Sequence, residues 1–432
     1  MRTVVGLSQV GNGAVVTLEQ SPNDVPDDGR CDPVELPGLL SNNPRERGAT
    51  LMTLLESHRP VAEALRMALA QPAEGPPRPL YLRVRTPEID ALPWEELYSA
   101  AHGFCALDHR WPVGRIVNRW INLSDRTFTS SLRVVALLSA AGRSGVPQLD
   151  SLVKALRSPD ARNVGLSVHV ITGDPSVLDA AEHVHEPAFT CEEMTTAGTT
   201  VARQIAAHRP DIVHVLCHGK AVGGVHSLLL ATPADFLGGE ETGLVSLTAS
   251  DLVRELAACN PWLIVLVACE SAGVGEGPAL AQDLTARNIP AVIGMRRLLD
   301  ISEADSFCSA LYPELLRVIR DSLNSSGNGR VHTIDWVTAL TVPRRVLSGA
   351  DPEGMGTWSD PVLYAQAEQL RIYHAEPAAS EARIGELVTA KEELTTWREF
   401  RNLMEASDAP EELLDKVNST VRRLERTLEA LQ

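Results

Sequence analysis

Residues 263–273 read "LIVLVACESAG". Five aliphatic residues run into Ala268, and then a thiol, an acid and small residues follow at once. An apolar run with no polar alternation suits a strand buried on both faces, and such strands belong to parallel sheets enclosed by helices. The same texture recurs nearby. "LRVVALLSA" from Leu132, "VGLSVHVIT" from Val164, "DIVHVLCH" from Asp211 and "AVIGMR" from Ala291 are short, aliphatic and rich in β-branched residues. Helical patterns separate them: "AGTTVARQIAAHR", "TASDLVRELAAC" and "GPALAQDLTARN". Helical crossovers impose parallel pairing, so the predicted fold is α/β, a mostly parallel sheet covered by helices on both faces.

Outward from this centre the texture changes twice. "TVVGLSQ" and "AVVTLEQ" flank a Gly-Asn-Gly turn and predict a hairpin. Apolar spacing predicts a helix over 47–70 with a break at Pro60, and "LYLRVR" predicts a strand. "LPWEELYS" is read as starting a short helix, and "HSLLLATPADFLGGEETGLVSL" as a hairpin inserted after the third core strand. Near the end, Leu414, Val417, Val421, Leu424, Leu428 and Leu431 are spaced 3, 4, 3, 4, 3, the pattern of a helix seam. A second helical stretch over 384–404 and the break "SDAPEE" point to a helical hairpin; self-association through 384–432 is the other use of that seam. The expected domains are an N-terminal α/β part over 1–131, a core domain over 132–366 and a helical region over 367–432.

Composition restricts the function classes. The net charge of −17 argues against a nucleic-acid or anionic-membrane surface. No apolar run approaches the roughly 18 residues of a bilayer span, and the start lacks a signal-peptide core. Seven scattered cysteines without a CxxC pair suit a reducing cytoplasm.

Ligands of open parallel sheets meet the protein beyond the carboxyl ends of the strands. Two reactive residues stand there: His218 ends "DIVHVLCH" and Cys269 ends "WLIVLVAC". If these strands are neighbours, their backbones lie about 4.8 Å apart. A free thiol with pKa near 8.5 is mostly protonated at neutral pH; a nearby imidazole takes its proton and later protonates a leaving amine. The amides of Gly219 and Cys269 suit an oxyanion. His214 shares a strand face with His218, whereas Cys217 points away, so this trio has no metal-binding geometry and no metal or organic cofactor is expected. His183, His185 and His226 are read as solvated, and the other cysteines as structural thiols.

At "DIVHVLCHG", "NPWLIVLVACESA" and "LAQDLTARNIPAVIGMRRLLDISEADSFCSALYPELL" the chain resembles the CHAT-domain peptidases, bacterial relatives of the caspases, with weaker echoes in "LPWEELY", "GFCALDHRWPVGRIVNRW" and "GTWSDPVLYA". The interval of 51 residues from His218 to Cys269 is close to the caspase spacing of about 50. The resemblance implies a caspase-like cysteine endopeptidase with His218 as general base and Cys269 as nucleophile. It also implies a protein substrate and an activating protein or small-molecule signal, in a bacterial antiviral-defence or cell-death setting. The caspase "QAC" is "VAC" here, which removes a caspase-like specificity pocket. Asp300 resembles in position the pocket acid of some relatives, although it also precedes the helix-start pattern Ser302-x-x-Asp305. Glu270 is read as a rim residue able to touch substrate. The rival expectation is a catalytically silent scaffold or ligand sensor on the same fold, and a third is a small-molecule thiol hydrolase.

Overall fold

The computed structural model describes all residues except 1, 26–32, 37–40, 73, 118–122, 124, 130, 223–224, 241–242, 244, 269–270, 274–277, 298–299, 325–330, 355–356, 375–392, 395, 399, 403, 405–410 and 432. The chain divides into two compact units, Met1–Arg126 with Ser131–Tyr373, and Thr127–Ser130 with His374–Gln432.

The larger unit is built on one twelve-stranded sheet. Its strands in chain order are β1 (Thr3–Val10), β2 (Gly13–Gln20), β3 (Val34–Glu35), β4 (Leu80–Val84), β5 (Val113–Val117) and β6 (Arg133–Leu138). There follow β7 (Ser167–Thr172), β8 (Phe189–Glu193), β9 (Ile212–Leu216), β10 (Leu263–Val267), β11 (Ala291–Met295) and β12 (Pro361–Ala365). Across the sheet they lie in the order β8-β7-β6-β9-β10-β11-β12-β5-β4-β1-β2-β3. Pairing is parallel except between β11 and β12 and along the β1–β2–β3 edge. The strands before and after residue 131 therefore share one sheet. β12 joins them, antiparallel to β11 (Ala291↔Ala365) and parallel to β5 (Tyr364↔Arg115).

The first five residues of the quoted stretch form β10, and all five are buried. Side chains alternate across it, and each face meets helices. On one face Val213, Val215, Ile264 and Leu266 join a single apolar cluster with Ile205, Leu252, Leu256, Leu280 and Leu284, from the helices Gly198–Ala207, Ala249–Leu256 and Leu280–Ala286. On the other, His214 reaches Gln148 of the helix Val146–Leu156 and Tyr312 of the helix Ile301–Asn324. Each aliphatic side chain buried this way contributes about 1.5–3 kcal/mol, which makes the sheet centre a rigid platform.

The N-terminal hairpin closes at Gly11, whose φ of +60° suits glycine. The helix read over 47–70 is two helices, Pro44–Glu56 and Arg59–Leu69, with Pro60 in the first turn of the second, where its missing N–H costs nothing. "LPWEELYS" supplies the 3₁₀ turn Trp94–Glu96 and the two-residue strand Tyr98–Ser99 in place of a helix. Its acids Glu95 and Glu96 are buried: Arg115 Nη2 lies 2.6 Å from Glu95 Oε2, and Arg115 Nη1 lies 2.6 Å from Oδ1 of Asp90, in the preceding turn Pro87–Asp90. Tyr364 of β12 donates to Asp90 at 2.9 Å, so this network reaches the joining strand.

The predicted inserted hairpin is a three-stranded antiparallel sheet of His218–Val222, Val225–Leu230 and Val245–Thr248. In the smaller unit the helix Glu411–Leu431 buries Val421 and Leu424 against Leu394, with Trp397 packed beside them. Arg398 pairs with Glu425 at 2.6 Å. These contacts fit two helical segments folded back on each other. Residues 384–392 of the first predicted helix lie outside the described residues.

Candidate active site

β9 and β10 are neighbours and parallel, and Leu216 is in register with Val267. The two strands end level at the carboxyl edge of the sheet. His218 and Cys269 each stand two residues beyond that row. Cys269 and Glu270 lie outside the described residues, so their side chains receive no geometry.

The segment around them is anchored on both sides. Ala268 is buried, and so are Ser271 and Ala272. The Ser271 hydroxyl donates to Leu266 O at 3.3 Å and accepts from Met295 N at 2.9 Å, while Ala272 N donates to Met295 O at 2.8 Å. The chain that leaves β10 is thus held against the end of β11. A narrow crevice of about 10 Å³, roughly one water in size, is lined by Cys217, Ala268, Met295, Ile301 and Ala304 among others. It gathers the residue before His218, the residue before Cys269 and the residue after Asp300.

His218 is placed differently from the sequence expectation. The parallel strand stops at Leu216, the chain bends at Cys217, and His218 opens a new antiparallel strand with its backbone opposite Leu229. The face relation expected between His214 and His218 therefore does not extend through the bend. His214 is fully buried, its Nε2 lies 2.7 Å from Gln148 Oε1, and burial pushes its pKa down to about 3. It is a neutral core residue.

The His218 ring is half-buried, and its Nε2 lies 2.7 Å from the Ala141 carbonyl. A carbonyl only accepts, so Nε2 carries the hydrogen and Nδ1 of the neutral ring keeps the lone pair. Ala141 is itself well placed. It follows β6 in the segment "SAAG" (139–142), and Ser139 N donates to Leu216 O at 2.9 Å. The Ser139 hydroxyl also bonds the carbonyl of Ala231, just after the second inserted strand. Asp174 is buried and accepts from Gly145 N at 3.0 Å and Ser176 N at 2.9 Å, fixing the far end of this loop. Ala141, Ser139 and Asp174 were not singled out from the sequence; the run of small residues after a core strand was the available signal.

Beside this loop an open pocket of about 320 Å³ is lined by Gly142, Arg143, Ser144, Phe236 and Glu240 among others. Gly219 pairs with Leu228 in the inserted sheet, one residue beyond the imidazole. Asp300 is exposed and accepts from Ser302 N at 3.2 Å, while its own N–H donates to Glu303 Oε2 at 3.1 Å. That is a reciprocal cap, so the helix starts at Asp300-x-x-Glu303, two residues before the Ser302-x-x-Asp305 pattern. Among the other thiols, burial raises Cys105 to about 12 and Cys191 to about 11, values unsuited to a nucleophile.

An α/β layered protein with a mostly parallel sheet and reactive residues at the strand ends is the class these features define. Residues 59–326 match the CHAT domain, more than half of the chain, and the chain belongs to that family. Among solved structures it is similar to Saccharomyces cerevisiae separase in complex with securin, at 13% identity and TM-score 0.36. That match covers 74% of this chain and 17% of the separase chain. It is also similar to the Arg-specific cysteine proteinase gingipain R, at 12% identity and TM-score 0.41 over 73% of this chain and 70% of that one. The pro- and mature domains of Porphyromonas gingivalis RgpB match at 11% identity and TM-score 0.40 over 72% and 71%. No curated protein matches the chain. Among the described residues no helix is long and apolar enough to cross a membrane.

Proposed function

We propose that the chain is a cysteine endopeptidase in which Cys269 is the nucleophile and His218 the general base and acid. The observation that carries this reading is the level ending of β9 and β10, with one candidate two residues beyond each strand and the imidazole tied by Nε2 to Ala141. Nδ1 is then the basic nitrogen. It takes the Cys269 proton, and the thiolate adds to the scissile carbonyl to give a tetrahedral oxyanion held by the amides of Gly219 and Cys269. The imidazolium returns the proton to the departing amine, leaving an acyl-thioester. Water attacks that thioester, gives a proton to the imidazole, and the thiolate leaves as the carboxylic acid forms.

The substrate in this reading is a protein segment, with Glu270 and Asp300 at its rim and the pocket beside Ala141 open to a side chain. Control by an activating protein or small molecule and a defence or cell-death setting belong to the same proposal and rest on the resemblance read from the sequence; a cytoplasmic location belongs to it too and rests on the scattered cysteines.

The test needs no activator. Alkylation of Cys269 by a small electrophile is followed against pH in the full chain and in His218→Ala. A dyad predicts at least tenfold slower labelling at pH 7 in the variant. Equal rates would support the silent scaffold instead.

A further inference from the structure

The free edge of the sheet carries a second cluster of reactive side chains. His169 lies in β7, and Glu192 lies in the edge strand β8; His169 pairs with Thr190 and Ile171 with Glu192, so His169 and Glu192 sit diagonally on one face. His208 caps the carboxyl end of the helix Gly198–Ala207. His169 Nε2 and His208 Nε2 each lie 3.2 Å from Glu192 Oε1. The two rings stack with centroids 3.4 Å apart and planes at 21°.

The surroundings orient these donors. His169 Nδ1 lies 2.7 Å from the Thr190 hydroxyl, leaving Nε2 to face the carboxylate. That Nε2 is buried and is not aligned for a hydrogen bond despite its closeness to Glu192. Gln204 donates to Glu192 Oε1 at 2.8 Å and to Glu193 O at 2.9 Å, and accepts from Thr195 N at 3.2 Å. Such outer contacts commonly hold the ligands of metal sites.

Protons and a cation are alternative ways to hold this cluster. With both rings neutral, two Nε2–H groups can share the one Glu192 oxygen; with both protonated, two cations stack at 3.4 Å. A divalent cation satisfies all three groups together. Around a tetrahedral ion with bonds of 2.0–2.1 Å, neighbouring donors stand about 3.3 Å apart, close to the 3.2 Å separations here.

We propose that His169, Glu192 and His208 bind one divalent transition cation of the zinc class, with a remaining position open to water. Imidazole and carboxylate donors suit such borderline ions. Closing on the ion requires the stacked rings to splay, and His208, whose side chain is 34% exposed, has room to turn. The bound ion would clamp β8 to β7 and to the helix behind it, fastening an otherwise open sheet edge. These residues are far apart in the sequence and form no ligand-spacing motif, so only the fold assembles them.

The test uses the full chain carrying Cys269→Ala, which removes the candidate nucleophilic thiol as a competing ligand. Calorimetric titration with Zn²⁺ should give one ion per chain, and Co²⁺ should give the absorption of a low-symmetry site. His208→Ala and Glu192→Gln should each weaken binding at least tenfold, while His183→Ala, at an exposed histidine, should leave it unchanged. Matching melting curves without metal show that the variants remain folded; if one does not, the other carries the comparison. A parent that binds no Zn²⁺, or variants that bind it as tightly as the parent, would overturn the proposal.

Discussion

His218 Nε2 and the carbonyl of Ala141 lie 2.7 Å apart, joining the inserted sheet to the loop that leaves β6. The acceptor is backbone, so no side-chain deletion removes it; with His218 intact, the contact is disturbed by moving the loop.

Gly173 gives a way to move it. A Cβ at this position would stand 2.0 Å from the Ala231 carbonyl oxygen, the same oxygen that the Ser139 hydroxyl bonds. Gly173→Ala is expected to cost about 1–3 kcal/mol as the backbone gives way, measured by denaturant unfolding. It should also slow Cys269 alkylation, whereas Gly238→Ala, which meets nothing closer than 3.8 Å, should change neither.

The thiol itself should report the imidazole. With His218 present, the pH midpoint for Cys269 alkylation is expected below that of a free thiol, about 8.5. In His218→Ala it should rise to that value or above. Rate-against-pH curves of the two proteins check this.

The buried cluster at Arg115 is expected to be the costliest place to lose a charge. Arg115 and Glu95 are fully buried and paired at 2.6 Å. Burial works to raise the Glu95 pKa, but the Arg115 guanidinium outweighs it and holds the carboxyl below its ordinary value. A lowered carboxylate pKa means stability that is present above the unfolded value, about 4.3, and is lost as pH falls through the folded one. Arg115→Met should cost about 3–5 kcal/mol by stranding two acids. Glu95→Gln should reduce the loss of stability on acidification; unfolding curves at several pH values test both.

His214 works in the same direction by a different route. Burial depresses its pKa to about 3, against about 6.5 in the unfolded chain. Between those values the unfolded chain takes up a proton that the folded chain refuses, so stability falls as pH falls. His214→Gln should lessen this slope by up to one proton, as read from unfolding free energy between pH 6.5 and 3.

Much of the fold is legible because apolar runs declare it. "LIVLV" is fully buried and central, and its pairing with "IVHVL" follows from the crossover pattern. Two features are not legible at that level. The bend at Cys217 breaks a sequence that reads as one continuous strand, because propensity does not distinguish the last residue of one ladder from the first of another. The joining position of β12 depends on contacts across the whole chain, among them Tyr364 with Asp90. The same holds for chemistry. His218 stands out because a strand end exposes it, whereas the Ala141 carbonyl is backbone and His169, Glu192 and His208 become neighbours only after the sheet closes.

The place of β12 bears on how the protein is made. A ribosome delivers β1 to β5 first and β11 much later, yet neither half-sheet gains its shared neighbour until residues 361–365 emerge. Until then β5 and β11 present unpaired backbone, the kind of edge that recruits wrong partners. Chains interrupted before Pro361 are therefore the ones expected to aggregate during synthesis, and assembly of the joined sheet must wait for that late segment.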